Sequence, residues 1–384
     1  MSRFSTGLLW AKLWLALILI LIFAGCIPGE NLIPVRTQVG GEDEAIAEEV
    51  TLNIEVVTVV STTEDMQIQL EPSISPLPTS IPSQTPTPLQ TPDPYANYTI
   101  DYLTSREYGS GALQIEGVMA DNSYFTRYLV SYPSDGLTIY GFMNVPKRGT
   151  PPYPVVIALH GYIDPEIYST LDYTTGYADA LAASGFVVLH PNLRGYAPSD
   201  SGDNLFRVGM AIDVLNLIAL VKEQAGKPGP LEMADGDAIG LWGHSMGGGI
   251  ATKVITVNPE VQAAVLYGAM SGDEKQNYER IFNYFSNRSR GLEELAASDE
   301  VFQQISPVNY LDRIQAAVSI HHGEDDKEVP LSWSQDTCRR LQELQKKVEC
   351  FTYPDQGHTF HGEEDNLFIQ RMIEFLRRNI NGSS

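Results

Sequence analysis

Cysteine is scarce in this chain, with only Cys26, Cys338 and Cys350 among 384 residues. That number excludes a disulfide scaffold, and the spacing does not suit a zinc site. Positive charge is scarce as well. Lys and Arg total 25 against 48 Asp and Glu, a formal net charge of −23. No basic footprint is available for a phosphate backbone, so nucleic acid is not expected as a partner. No internal repeat is visible. Hydrophobic residues make up 43% of the chain, enough for a sizeable core, so the chain as a whole is not a disordered one. The length allows two domains, although single α/β domains often reach about 250 residues.

The N-terminus reads as a targeting segment. Arg3 and Lys12 precede the apolar run Leu13–Ala24, followed by Gly25-Cys26, the layout of a secretory signal. Phe23-Ala24-Gly25-Cys26 resembles a bacterial lipobox, with Phe23 where Leu is usual. The resemblance implies lipidation of Cys26 after cleavage. An uncleaved anchor, counted from Gly7 across Lys12, and plain secretion are the alternatives. All three place the folded part outside the cytoplasm, and the first two tie it to the extracytoplasmic face of a membrane.

Residues 27–94 read as a spacer. They carry eleven acidic residues against Arg36 alone, and Pro, Ser and Thr dominate from Pro72 to Pro94. Such a segment buries little apolar surface and favours extended polyproline II. At about 3.1 Å per residue it could hold a domain roughly 70 Å from a membrane. Thr51–Val60 alternates weakly, as a strand might.

From Tyr95 the pattern changes. Tyr124–Tyr132 and Leu137–Val145 read as strands joined at Ser134-Asp135-Gly136. Short apolar runs then alternate with helical periodicity. The runs are Val155–Leu159, Phe186–Leu189, Ala238–Trp242, Val261–Tyr267, Ala316–Ile320 and Val348–Tyr353. The helical stretches are Tyr173–Ala183, Leu205–Lys222 and Ile250–Val257. Runs of this kind imply a mostly parallel central sheet with helices on both faces. Residues 95–384 therefore read as one α/β domain. The polar, aromatic stretch 273–306 forms a small helical insertion, either a cap over a substrate pocket or a plain surface helix pair.

The sharpest chemical signal is Gly243-His244-Ser245-Met246-Gly247, preceded by a strand and followed by a helix start. A strand, a strained turn and a helix expose the serine hydroxyl at the top of the sheet. The helix N-terminus behind it favours a developing negative charge. A serine nucleophile needs a base, and His358 follows the last apolar run in a Gly-containing loop, with His361 well behind it as second choice. The base needs an acid to fix its tautomer. His321-His322-Gly323-Glu324-Asp325-Asp326-Lys327-Glu328 follows the fifth apolar run and offers four carboxylates. The order Ser…Asp…His is that of the α/β-hydrolase fold. Two backbone donors should hold an oxyanion: the Met246 N–H and, from Leu159-His160-Gly161-Tyr162, the Tyr162 N–H.

These motifs, with Pro191-Asn192-Leu193-Arg194-Gly195, Ser306-Pro307-Val308-Asn309-Tyr310 and Val329-Pro330, make Tyr124–Arg378 resemble a known family. It is similar to the catalytic domain of prolyl oligopeptidase-like and dipeptidyl-aminopeptidase-like serine hydrolases. In such relatives the catalytic Asp stands three residues after the Gly and three before the Val, which implies Asp326 here, with Asp325 as runner-up. The expected protein is an extracytoplasmic, membrane-tethered serine hydrolase that cleaves ester or peptide bonds through an acyl-enzyme. No metal or organic cofactor is implied. Its partners would be a small ester or peptide substrate and, through the N-terminal lipid or anchor, the membrane. The chain departs from the large peptidases in having no long propeller-forming region before the domain, which points to an open site and ready ester cleavage. A dedicated peptidase, a non-catalytic binding lipoprotein and a cell-surface adhesion module are the alternatives.

Cys338 and Cys350 fall in a predicted helix and the following strand. Helix and strand rise place them at the same level, so a bridge between them and two free thiols are both expected outcomes.

Overall fold

The apolar runs become strands because their side chains are covered from two sides. In a computed structural model of the chain, residues 93–380 are described. The expected signal or anchor over 1–26 with Cys26, the Thr51–Val60 segment and nearly all of the 27–94 spacer lie outside the described residues.

After a short helix, α1 (Ile100–Ser105), an antiparallel meander runs through β1 (Gln114–Asp121), β2 (Phe125–Ser134) and β3 (Leu137–Pro146). Asp135 and Gly136 both take positive φ, 49° and 83°, so the β2–β3 hairpin closes on two residues whose twist suits the strands. Alternation then begins with β4 (Tyr153–Leu159), α2 (Thr175–Ala183), β5 (Val187–Pro191), α3 (Val208–Gln224), β6 (Ala234–His244), α4 (Met246–Val257) and β7 (Ala263–Tyr267). The insertion follows, with α5 (Glu274–Arg280), a π-helical turn Ile281–Phe285, α6 (Leu292–Leu295) and α7 (Asp299–Ile305). The domain ends with β8 (Ala317–Gly323), α8 (Leu331–Glu343), β9 (Val348–Tyr353) and α9 (Gly362–Asn379).

These strands form one sheet in the order β1-β2-β3-β5-β4-β6-β7-β8-β9. Pairings up to β3–β5 are antiparallel and those from β5–β4 to β8–β9 are parallel. Successive side chains serve opposite layers. Val155, Ile157 and Leu159 pack with α3 and α4, while Val156 and Ala158 pack with α2 and α9. Burying each such branched side chain contributes about 1.5–3 kcal/mol, which fixes both register and facing.

Three features depart from the sequence expectation. First, β1 and α1 carry no clear pattern. Ile115 and Val118 of β1 are exposed, and two register shifts against β2 break its period. Second, the helix expected from Leu205 begins at Val208, because Phe206 and Arg207 take left-handed φ of 53° and 56° in a 3₁₀ turn. The Lys253 ammonium donates to the Phe206 carbonyl at 2.9 Å and holds that turn. Third, α4 starts four residues before Ile250, directly behind Ser245. Cys338 of α8 and Cys350 of β9 are joined by a disulfide, with Cα atoms 6.4 Å apart.

Candidate active site

Register brings the relevant strand ends to one edge of the sheet. Leu159 pairs with Gly243, His244 with Tyr267, Tyr267 with His321, and Gly323 with Tyr353. The loops after β4, β6, β8 and β9 therefore open side by side at the carboxyl end, where open α/β sheets place their sites.

Ser245 occupies the turn between β6 and α4 at φ 55°, ψ −115°, a backbone region that a non-glycine residue holds only under constraint. The constraint is visible. The Ser245 N–H donates to the Tyr267 carbonyl at 2.9 Å, and the Ser245 carbonyl accepts from Gly249 and Met270 at 3.1 and 3.0 Å. Glycine is required on both sides. A Cβ on Gly243 would strike the Gly247 carbonyl, and one on Gly247 would strike the Leu159 carbonyl. Met246 opens α4, so its N–H is one of the helix's unpaired amides. Among the described residues neither it nor the Tyr162 N–H donates to a protein acceptor.

His358 Nδ1 lies 2.7 Å from Asp326 Oδ2. The Asp326 side chain is fully buried and accepts three further donors. The Glu328 and Val329 amides reach Oδ1 at 2.8 and 2.9 Å, and His322 Nε2 reaches Oδ2 at 3.2 Å. Burial alone would raise this carboxyl, but the His322 and His358 donors outweigh it and hold it well below the usual carboxylate range. Asp325 instead points outward, 4.0 Å from exposed Lys327. His361 stands at the start of α9 and is exposed. Ser245 and His358 line the same cavity, without a hydrogen bond between them among the described residues. Such contacts commonly tighten only when substrate is bound.

Tyr173 and His244 complete the frame. The His358 carbonyl can only accept, so His244 donates to it from Nε2 at 2.9 Å. His244 Nδ1 then accepts from the Tyr173 hydroxyl at 2.6 Å, and the same hydroxyl accepts the Gly161 N–H at 3.1 Å. Burial, with His358 alongside, pushes His244 down to about 3, so it stays neutral in this relay. The loops after β4, β6 and β9 are thereby tied together beside Ser245.

The cavity over Ser245 has a volume of about 1070 Å³ and is walled by Tyr162, Tyr196, Met270, Tyr278, Phe285 and Trp333, among others. The 273–306 insertion supplies one wall and is pinned at three places. At its root, the buried Glu274 pairs with Arg207 and with Lys253, the latter at 2.8 Å. Further along, Arg280 donates to the carbonyls of Lys327 and Glu328, beside Asp326. At its tip, Arg290 donates to the Tyr162 hydroxyl. Tyr173, His322 and these arginines carry no local signature as site residues, apart from the adjacency of His322 to Gly323. Among the described residues no cluster of His, Cys, Asp or Glu could hold a metal ion, and no helix is long and apolar enough to cross a membrane.

Residues 173–383 match the model of the prolyl oligopeptidase family. The chain is 23% identical over 274 residues to the "Putative carboxymethylenebutenolidase" of Escherichia coli, covering 65% of this chain and 85% of that protein. It is 24% identical over 257 residues to the uncharacterized peptidase YtmA of Bacillus subtilis, covering 65% and 93%. Among solved structures, a puromycin-hydrolyzing peptidase of Mycobacterium tuberculosis superposes with a TM-score of 0.55 at 17% identity, over 69% of this chain. The chain spans 41% of that peptidase's length. The sheet order and the superposition make the domain an α/β-hydrolase fold.

Proposed function

The chain belongs to the prolyl oligopeptidase family and is a serine hydrolase of the esterase or peptidase kind, and on that premise we propose the residues and route by which it works. Ser245 attacks a substrate carbonyl. His358 takes its proton through Nε2 and returns it to the leaving group, and Asp326 orients His358 and stabilises the imidazolium that forms. The Met246 and Tyr162 amides receive the oxyanion. Water then cleaves the acyl-enzyme by the same steps. The observation that carries this reading is the 2.7 Å His358–Asp326 contact at the rim of a cavity that also holds Ser245.

The preferred substrates are small esters, with peptides and aminoacyl amides cleaved less well. An alkoxide leaves without the full protonation that an amine demands of His358. The 273–306 insertion supplies only part of the cavity wall, beside Tyr162, Tyr196 and Trp333. Relatives named as a carboxymethylenebutenolidase and as a peptidase keep both bond types within the family's range. The net charge of −23 favours neutral or cationic substrates, an effect that salt weakens. The enzyme acts at the extracytoplasmic face of a membrane, tethered through lipidated Cys26 at the end of the apolar run Leu13–Ala24.

Fluorophosphonate labelling tests the nucleophile. Ser245→Ala should abolish it, and labelling that persists would sink the assignment. Matched ester and amide substrates of one acyl group test the bond preference. Turnover of the amide alone would restore a dedicated peptidase. Cys26→Ser should abolish uptake of labelled fatty acid in a bacterial host, and a wild-type protein that takes up none would replace the lipid with an uncleaved anchor.

A further inference from the structure

Asp326 receives not one imidazole but two. His322, the residue before Gly323 at the end of β8, is 1% exposed. Its Nε2 lies 3.2 Å from Asp326 Oδ2 and 3.0 Å from the Val329 carbonyl. Both neighbours can only accept, so Nε2 must carry the proton and share it between them. Its Nδ1 lies 2.7 Å from the Ser334 hydroxyl of α8. Ser334 is buried, and its hydroxyl, which can donate or accept, satisfies Nδ1.

We propose that His322 is a positioning residue that fixes the carboxylate of Asp326 for His358, with its ring held in place by Ser334. This inference rests on the proposed triad. A carboxylate held by its backbone amides alone retains some freedom about its last torsion. The amides of Glu328 and Val329 secure Oδ1, and the His322 N–H secures Oδ2, the same oxygen that His358 meets. The oxygen that meets His358 Nδ1 is thereby pointed before catalysis begins. The shared N–H also ties the Val329 end of the loop to β8, so the loop bearing Asp326 cannot shift without breaking a buried hydrogen bond. Of the acidic loop noted in the sequence, only Asp326 is buried against this donor, whereas Asp325 is exposed.

The test uses the full chain, a p-nitrophenyl ester and four variants. His322→Leu should lower kcat about 10–100-fold, the scale on which outer partners of a held imidazole act, with KM changed less than about twofold. His322→Gln can put an amide N–H near the same point and should recover kcat to within about threefold of wild type. Ser334→Ala removes the partner of Nδ1, lets the ring tilt away from Asp326, and should lower kcat about three- to tenfold. The low-field proton resonance of the His358–Asp326 hydrogen bond should shift or broaden in His322→Leu and in Ser334→Ala, and return in His322→Gln. A folded His322→Leu with wild-type kcat, or a Gln variant no better than Leu, would overturn the proposal. Should His322→Leu fail to fold, Ser334→Ala decides, and unchanged kcat and resonance there would overturn it too. Asp326→Asn is the reference. If it keeps activity, the triad itself is wrong, a result distinct from failure of His322 alone.

Discussion

The Arg290 guanidinium lies over the Tyr162 ring, 5.3 Å from its centroid, and donates to its hydroxyl. One residue belongs to the tip of the insertion and the other carries the amide assigned to the oxyanion. Arg290→Ala should therefore disturb catalysis rather than folding. The expected loss is about 10–100-fold in kcat/KM for esters that fill the cavity, and less than about threefold for an acetate ester, because Arg290 and Tyr162 line a wall that only a longer acyl group reaches. Kinetics on a series of acyl lengths checks this, and a uniform loss at every length would dissociate Arg290 from the substrate wall.

Two adjacent aspartates separate cleanly. Asp326 meets His358 and is fully buried, while Asp325 is exposed near Lys327. Asp326→Asn should cost on the order of 10⁴-fold in kcat, and Asp325→Asn should change it by less than about twofold. Equal losses in the two variants would contradict this geometry.

Acid should weaken the fold before it protonates Asp326. Burial is the main force pushing His190, His244 and His321 down to about 3, and it lowers His160 too. The unfolded chain binds protons at these sites near pH 6.5. Their contribution to stability is complete above that value and is lost as pH falls toward 3. Asp326, also held low, loses its contribution only below about pH 4. Urea midpoints measured from pH 7.5 to 4 should fall steadily below about 6.5. His321→Gln, away from the cavity, should flatten the slope by up to about 1.4 kcal/mol per pH unit. A flat profile down to pH 4 would contradict the neutral, buried state of these rings.

The Cys338–Cys350 bridge closes a loop of sequence separation 12, for which chain entropy gives about 3 kcal/mol. Cys338→Ser should lower Tm by about 5 °C in a domain of this size. Since α8 follows the Asp326 loop and β9 precedes the His358 loop, the loss should extend to activity at elevated temperature. A thermal melt and residual-activity assay compare the two, and an unchanged Tm would show that the bridge is energetically idle.

The sequence offered the candidate residues that are written in neighbouring positions, and the fold brings those candidates to one sheet edge. The strand–turn–helix around Ser245 needs Gly243 and Gly247 at fixed offsets, and the resemblance to the family, through the Gly323 and Val329 spacing, implies Asp326. His358 follows the last strand by a short loop. What escaped depends on contacts between distant segments. Tyr173 meets His244 71 residues away, and Arg290 meets Tyr162 128 residues away. No local pattern encodes either meeting. The edge strand β1 escaped for another reason: with Ile115 and Val118 exposed and bulges against β2, it lacks the alternation that betrays a half-buried strand.

The buried trio Arg207, Glu274 and Lys253 sits at the root of the insertion, whereas Tyr284 and Phe285 near its tip are 58% and 49% exposed. Breaking a buried ion pair costs about 3–5 kcal/mol, while exposed positions usually tolerate change within about 0.5 kcal/mol. Substrate range and folding are thus written in separate stretches of the same loop. Selection, or an engineer, can exchange residues 283–290 as a cassette between α5 and α6, trying new pocket walls on a chassis whose stability those trials leave almost untouched.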